Sequence, residues 1–380
     1  MKGLTSVLLF VVSMIFFSAS SALPSPPETS FLLCLYKQSQ PSNSISNAII
    51  TPNNSSFSSV LQKYGRNLRF LTPATPKPLV IVAAMDKSHV RATILCSKAG
   101  GLQMRIRSGG HDYDGLSYVS DVPFVLLDMF NLRSIDIDLK DESAWVQSGA
   151  TVGELYYRIA EKSNVRGFPA GICPTLGVGG HFSGGGYGNM MRKYGLSVDN
   201  VVDAEVVDVN GNVLDRKGMG EDLFWAIRGG GAASFCVVLS WKIKLVPVPE
   251  KVTVFQVEKT MEEGAVDLVV KWQEVADKLD ENLFIRLMLS PTKISTKNSV
   301  KASFVAMFLG QSNSLLSLMN HSFPELGLQQ KDCIEMKWIE SVPFWTGSPN
   351  GTQIDDLLIR ESKRPVFLKR KSDYVQKPIS

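Results

Sequence analysis

Twenty-three of the 30 glycines in this 380-residue chain lie between Gly100 and Gly231. Glycine serves where backbone turns through positive φ or must approach something closely, and elsewhere it costs conformational entropy. The concentration predicts a central region whose backbone wraps a ligand. Three segments carry it. Arg105-Ile-Arg-Ser-Gly-Gly-His-Asp-Tyr113 runs a short strand into a Gly-Gly turn. Consecutive N–H groups of such a turn form a concavity for phosphate, with the His111 imidazole beside it; an ordinary turn is the plain alternative. Gly167 to Gly188 holds nine glycines in 22 positions, a density that leaves no secondary structure of its own and exposes Cys173, His181 and Tyr187 as the side chains able to act. It is not the dinucleotide fingerprint, because G-x-G-x-x-G from Gly177 requires glycine where Phe182 stands. Asp222 to Phe235 ends a helical turn at Gly229-Gly-Gly231, a third approach of bare backbone.

Composition removes several function classes. Hydrophobic residues are 44% and charged residues 20%, a globular composition of two or three domains' length. A net charge of +4, with no long Lys/Arg tract, gives no reason to expect a nucleic-acid partner. The short run Lys369-Arg-Lys371 reads as a solvated face. Four histidines (His89, His111, His181, His321) and five cysteines without a CxxC pair exclude a zinc ribbon, a finger or an HExxH protease, and no metal site is expected.

The first 22 residues read as a secretory signal peptide: Lys2, an apolar run from Val7 to Phe17, then small residues with cleavage expected after Ala22. The run is short for a membrane span of roughly 20 residues, so no span is expected after cleavage. The expected destination is outside the cell or in a cell wall. There Cys34 and Cys96, which flank 61 residues, can pair, though spacing alone does not prove the pair. Asn53, Asn54, Asn320 and Asn350 begin N-x-S/T sequons and are candidate glycan sites.

Pattern divides the rest. Pro24 to Ser59 reads mostly as loop apart from Phe31 to Tyr36. From residue 74 to 248 strands and helices alternate: strands at Leu79–Ala83, Met104–Arg107, Phe124–Leu127, Ala144–Gln147 and Val237–Ile243, a helix over Asp86–Ala99 with Ser88 as a candidate cap, and a helix from Thr151 to Lys162 opened by a Thr151/Glu154 capping box. Val246-Pro-Val-Pro249 marks a boundary. Beyond it, over 249–380, strands at Val252–Val257, Asn282–Leu289 and Ser299–Leu309 and helical patterns at Met261–Leu279 and Ser314–Met319 predict a sheet with helices on one face. The class is α+β.

The stretches RSGGHDYDGLSY, GICPTLGVGGHFSGGGYGNMMRKYGLSVDN and DLFWAIRGGGAASF resemble the berberine bridge enzyme-like (reticuline oxidase-like) branch of secreted plant flavoproteins, in the vanillyl-alcohol-oxidase/PCMH superfamily. The likeness runs from Phe31 to the end. It implies a PCMH-type FAD-binding domain over 74–248, with 23–73 as its N-terminal segment, followed by a partial substrate domain. It implies FAD attached twice, through His111 to the 8α carbon and through Cys173 to C6, a neutral imidazole and a thiolate being natural nucleophiles. By the same resemblance, backbone at Ser108, Gly109 and Gly110 holds the pyrophosphate, and Arg107, Asp112, Ser117, Gly149, Gly177, Gly180, His181, Gly186 and Val238 are further FAD contacts. His181 reads more as a hydrogen-bonding support than as a catalyst.

The implied reaction is two-electron oxidation of a small-molecule alcohol (a carbohydrate, a monolignol-type phenylpropanoid or an alkaloid) by a monomer, with O2 or another acceptor. Tyr187 stands where the family has its active-site tyrosine, the alternative being a packing role. A free tyrosine titrates near 10 and needs a nearby cation to act as base at lower pH. Leu176 stands where the family has valine or leucine near the oxygen-reactive carbon, and its bulk is expected to favour a dehydrogenase over an oxidase. The resemblance also implies a Cys34–Cys96 disulfide. Cys236 and Ala232 depart from the family's glycines, and Cys333 reads as core. Relatives of this kind continue well past Ser380, so the expectations include an open sheet edge, loss of the return to the flavin domain, and a second reading as a flavin-binding or non-catalytic secreted glycoprotein.

Overall fold

The uniformly apolar run at Leu79–Ala83 can only be buried, and it supplies the centre of the first sheet. The computed structural model describes residues 26–347, 353–361 and 365–377. Strands β1 (Ile49–Ile50), β2 (Ile81–Ala83), β3 (Gln103–Arg107) and β4 (Phe124–Asp128) form a sheet in the order β1-β2-β4-β3, in which β4 runs parallel to both β2 and β3. Helix Pro27–Gln38 and helix Lys87–Ala99 cover it through Phe31, Leu35, Val90 and Ile94. The Cys34–Cys96 disulfide joins these two helices, with Cα atoms 5.6 Å apart, as the resemblance implied.

Two local expectations are corrected here. The first is the extent of the ordered stretch within Pro24–Ser59: where only Phe31–Tyr36 was expected to depart from loop, a 12-residue helix begins at Pro27, because Phe31 and Leu35 share one helical face and Pro27 suits a first turn that has no use for its missing N–H. The second is the cap of the Lys87 helix, which is Asp86 rather than Ser88: its carboxylate accepts from the Ser88 N–H at 2.8 Å and the Ser88 hydroxyl at 2.6 Å. The Thr151/Glu154 capping box is formed as expected, opening helix Val152–Lys162.

Strands β5 (Ile135–Asp138), β6 (Ser143–Gln147), β8 (Val201–Val207), β9 (Val213–Leu214) and β10 (Val237–Lys244) make an antiparallel sheet in the order β5-β6-β10-β8-β9. One face carries Ala144, Val146, Ala204, Val206, Trp241 and Ile243 into a core shared with helix Val152–Lys162. The Pro-rich boundary is itself paired: β11 (Val246–Pro247) bonds to β7 (Arg166–Gly167).

The last sheet is β13 (Leu283–Ile294), β14 (Lys297–Phe308), β12 (Val252–Thr260) and β15 (Cys333–Met336), in that order and antiparallel. Helices Ala265–Val275 and Ser312–Ser322 pack on one face around Phe255, Phe304 and Leu283. The other face, through Val252, Val254, Val305 and Met307, meets helix Trp338–Trp345 and merges with the core of the second sheet. The single helical pattern over Met261–Leu279 is broken at Gly264, whose φ of 85° separates a short 3-10 turn from the helix proper. Cys333 lies on β15 and is half-buried.

Among the described residues β13 pairs only with β14, so one edge of this sheet is open, with Leu289 exposed on it. Residues 353–361 and 365–368 contact the first domain. Val366 bridges Asn67 in parallel, and the Arg360 guanidinium donates to the Gly149 carbonyl at 2.7 Å. The expected signal peptide lies outside the described residues.

Candidate functional site

The glycines of the middle region serve first to let backbone touch backbone. A Cβ at Gly109 would lie 2.2 Å from the Gly177 nitrogen, and one at Gly177 would lie 2.0 Å from Ser108 Oγ. The Ser108–His111 turn therefore packs directly on the Cys173–Gly180 segment. That segment is in turn laced to residues 148–153. Ala150 accepts from Val178 N–H (2.9 Å), Ser148 accepts from Gly179 N–H (3.2 Å), and the Val152 and Gly153 N–H groups donate to Leu176 and Pro174. Ser108 Oγ donates to the Ser148 carbonyl at 2.5 Å. Three chain segments distant in sequence thus form one cradle.

The cradle presents donors without acceptors. The N–H groups of Ser108, Gly109 and Gly110 make no hydrogen bond among the described residues, although both glycines are buried. Gly110 holds the turn at φ 64°. Unpartnered buried N–H groups are rare because each costs the full loss of its hydration, and a row of them is the donor set that an anionic pyrophosphate takes. A Cβ at Gly180 would meet nothing within 4 Å, so helix Val178–Ser183 faces open space at this one position.

His111 sits on this cradle, with Nε2 3.0 Å from Thr175 Oγ1, two residues from Cys173. Burial, reinforced by the Arg66 charge, lowers its pKa to about 3, so the ring is neutral at physiological pH. His181 is lowered to about 4 by burial. Its Nε2 accepts from the Gly171 N–H at 2.8 Å, which puts the ring proton on Nδ1 and makes it a support for the Cys173 loop. Cys173 is an exposed residue whose thiol pKa is nevertheless raised by crowding, against the opposing pull of Arg66, Arg370 and Arg286. The resting form is therefore the thiol, and the nucleophilic thiolate requires loss of its proton.

Both histidines are neutral in the fold, whereas an unfolded histidine titrates near 6.5. The unfolded chain therefore binds more protons as pH falls below about 6.5, and the stability present above that value is lost progressively toward the folded values of about 3 and 4. The urea midpoint is expected to drop between pH 7 and pH 4.5. It should drop less in His181→Gln, whose amide oxygen can still accept from Gly171. An identical fall in both proteins would contradict this assignment.

Other expected contacts are engaged elsewhere. Arg107 is buried with its guanidinium 2.6 Å from Asp128 and on the carbonyls of Val60 and Leu61, so it anchors the end of β3 rather than offering charge to a ligand. Val238 packs in the core. Gly149 is required by the Met129 carbonyl, 1.9 Å from where a Cβ would stand, and Gly186 by Ser197. Asp112 accepts from the N–H groups of Leu116 and Ser117 and from the Ser117 hydroxyl, so this pair shapes the loop after His111. Cys236 and Ala232 are buried in the core, and burial pushes the Cys236 thiol up to about 12. The Gly167–Gly188 run is not free of secondary structure, since Val178–Ser183 is helical.

Tyr187 is 64% exposed, with no hydrogen bond among the described residues. Leu176 is half-buried, its Cδ1 2.8 Å from a Cβ built on Gly171. Asn53, Asn54 and Asn320 are exposed; Asn350 lies outside the described residues.

Two arginines were not foreseen. Arg66 is brought beside His111 and Cys173 by the pairing of Asn67 with Val366, and it donates to the Arg360 carbonyl at 3.1 Å. Arg360 bonds Glu154 at 2.7 Å and stacks 4.3 Å from the Phe130 ring centre. No local pattern announces either residue, because their hydrogen bonds span 206 to 294 positions.

A FAD binding domain family matches residues 78–216. Berberine bridge enzyme-like 9 and berberine bridge enzyme-like 14 of Arabidopsis thaliana are each 60% identical to this chain over 99% of its length and 71% of theirs. The Bermuda grass isoallergen BG60 is similar in structure with TM-score 0.86 and 49% identity, covering 92% of this chain and 70% of that one. Phl p 4, a grass pollen allergen with glucose dehydrogenase activity, gives TM-score 0.86 and 44% identity over 92% of this chain and 69% of that one. An isoleucine-to-valine variant of Phl p 4 is a glucose oxidase.

Proposed function

This chain belongs to the berberine bridge enzyme-like family of FAD-binding oxidoreductases, and we propose that it is a secreted, monomeric flavoprotein that oxidises a small-molecule alcohol with FAD held covalently by both His111 and Cys173. The observation that carries the reading is one arrangement: a neutral imidazole, a cysteine two residues from its hydrogen-bond partner, and three unpartnered N–H groups on one cradle. The Ser108–Gly110 amides would hold the pyrophosphate. The His111 ring nitrogen and the Cys173 sulfur would carry the two covalent links, the thiol first giving up its proton. When bound, FAD would supply the two-electron acceptor for the substrate carbon, with O2 or another acceptor restoring it. The Tyr187 side chain, exposed beside the glycine run, would take the alcohol proton as its phenolate, having first given its own proton to solvent. Secretion is supported by the N-terminal pattern and by the disulfide. The alcohol class covers a carbohydrate, a monolignol-type compound or an alkaloid.

A second reading, flavin binding without turnover, is favoured by one observation: the Tyr187 hydroxyl has no hydrogen-bond partner to orient or activate it among the described residues. A single experiment separates the two. The flavin-loaded protein is mixed with a panel of primary and secondary alcohols without oxygen, then exposed to air. Loss of flavin absorbance with at least one alcohol, slowed a hundredfold or more by Tyr187→Phe, on the order expected of a general base, supports turnover. Faster reoxidation in Leu176→Val supports the bulk of Leu176 as the barrier to O2, in line with the Phl p 4 variant. No bleaching by any alcohol overturns the enzyme reading.

A further inference from the structure

The outward face of the second sheet bears a cleft of about 710 Å³, on the face opposite its core and separate from the cradle. Strand register builds it. Asp136 of β5 pairs directly with Trp145 of β6, so a carboxylate stands beside the indole. Two residues along, Gln147, Ser240 and Glu205 form a row across β6, β10 and β8. Trp145 is 37% exposed, an uncommon position for so large an apolar ring, while Ser240 is 92% buried by the cleft walls. The Ser240 hydroxyl lines the cleft and has no protein partner among the described residues.

We propose that this cleft binds a neutral saccharide, with Trp145 as the platform for the C–H face of a pyranose ring. The polar groups suit vicinal hydroxyls, because donors and acceptors are mixed. Gln147 Oε1 is occupied by the Ser134 N–H at 2.8 Å, which leaves its NH2 free to donate. Ser240 can donate or accept, and Asp136 accepts. An ammonium ligand would use only the acceptors and leave Gln147 idle. Charge selects further: the four lining carboxylates Asp136, Asp203, Glu205 and Asp215 outnumber the cations at the border, Lys242 between Trp145 and Asp203 and Lys87 on Glu205, so uronate chains are disfavoured. This site does not depend on the flavin reading.

The test is affinity electrophoresis of the secreted protein through native gels containing mixed-linkage β-glucan, xyloglucan, xylan or galactomannan, with polygalacturonate as the charged counterpart. Retardation is expected in at least one neutral gel and not in polygalacturonate. Trp145→Ala and Ser240→Val should each weaken it about tenfold or more, at unchanged thermal unfolding. A His111→Ala/Cys173→Ala protein should be retarded like the wild type, which separates this cleft from the flavin cradle. Absence of retardation in every neutral gel, retardation untouched by Trp145→Ala, or retardation lost in the cradle variant would each overturn the proposal.

Discussion

Replacing either His111 or Cys173 alone by alanine is expected to leave flavin fluorescence on the denatured protein band, and replacing both is expected to abolish it. The expectation follows from two anchors of different character on one loop pair. His111 is held neutral by burial, so its ring has a lone pair available without prior deprotonation. Cys173 must lose a proton that its surroundings tend to retain, with Arg66, Arg370 and Arg286 working in the other direction. The imidazole link should therefore form readily across the neutral range, and the thiol link should form faster as pH rises. Cys173→Ala should then give complete flavin loading at pH 6, whereas His111→Ala should load slowly at pH 6 and faster at pH 8.5. If either single variant loses all covalent flavin at both pH values, two independent attachments are excluded.

Arg360→Ala is expected to lower stability by about 3–5 kcal/mol, the range for removing one partner of a buried ion pair. The guanidinium joins Glu154 at 2.7 Å, the Gly149 carbonyl at 2.7 Å and the Phe130 ring face at 4.3 Å, and both charged residues are 9% exposed. Its loss leaves the Glu154 carboxylate with the Thr151 N–H, the Thr151 hydroxyl and a longer 3.4 Å contact to Arg133. Thr151 is also the residue that bridges Gly177, so the effect should reach the cradle and appear as reduced flavin loading. Arg360→Met combined with Glu154→Gln should recover most of the lost stability, because no charge is then stranded. Urea unfolding of the three proteins decides the matter: a loss under 1 kcal/mol in Arg360→Ala would show that the Arg360 contacts do not hold the cradle.

Local signals in the sequence were read well where local physics decides. The capping box at Thr151 and the buried strand at Ile81 follow from patterns within a dozen residues, whereas β13 and β14, expected as separate strands at Asn282–Leu289 and Ser299–Leu309, run on into a hairpin that turns at Ser295-Thr296. The glycine concentration correctly marked the cradle but for a partly different reason. Gly109, Gly149 and Gly177 are required where backbone meets backbone, while Gly180 faces open space. One sequence signal, the absence of a side chain, thus covered two distinct needs. The resemblance implied Arg107 as a FAD contact, and alternation along β3 carries its side chain to Asp128. Arg66 and Arg360 stayed hidden because their roles come from a chain return that no local periodicity encodes. The half-exposed Trp145 read as an ordinary strand residue until the register placed Asp136 beside it.

Peptide mapping of the secreted protein tests the central claim most directly. After denaturation and trypsin digestion, the peptide containing His111 and the peptide containing Cys173 are predicted to be recovered as one species joined through a single flavin, with flavin absorbance and the summed mass. Recovery of both peptides unmodified, from protein that is folded and secreted, would contradict the claim that this chain builds a two-link flavin site.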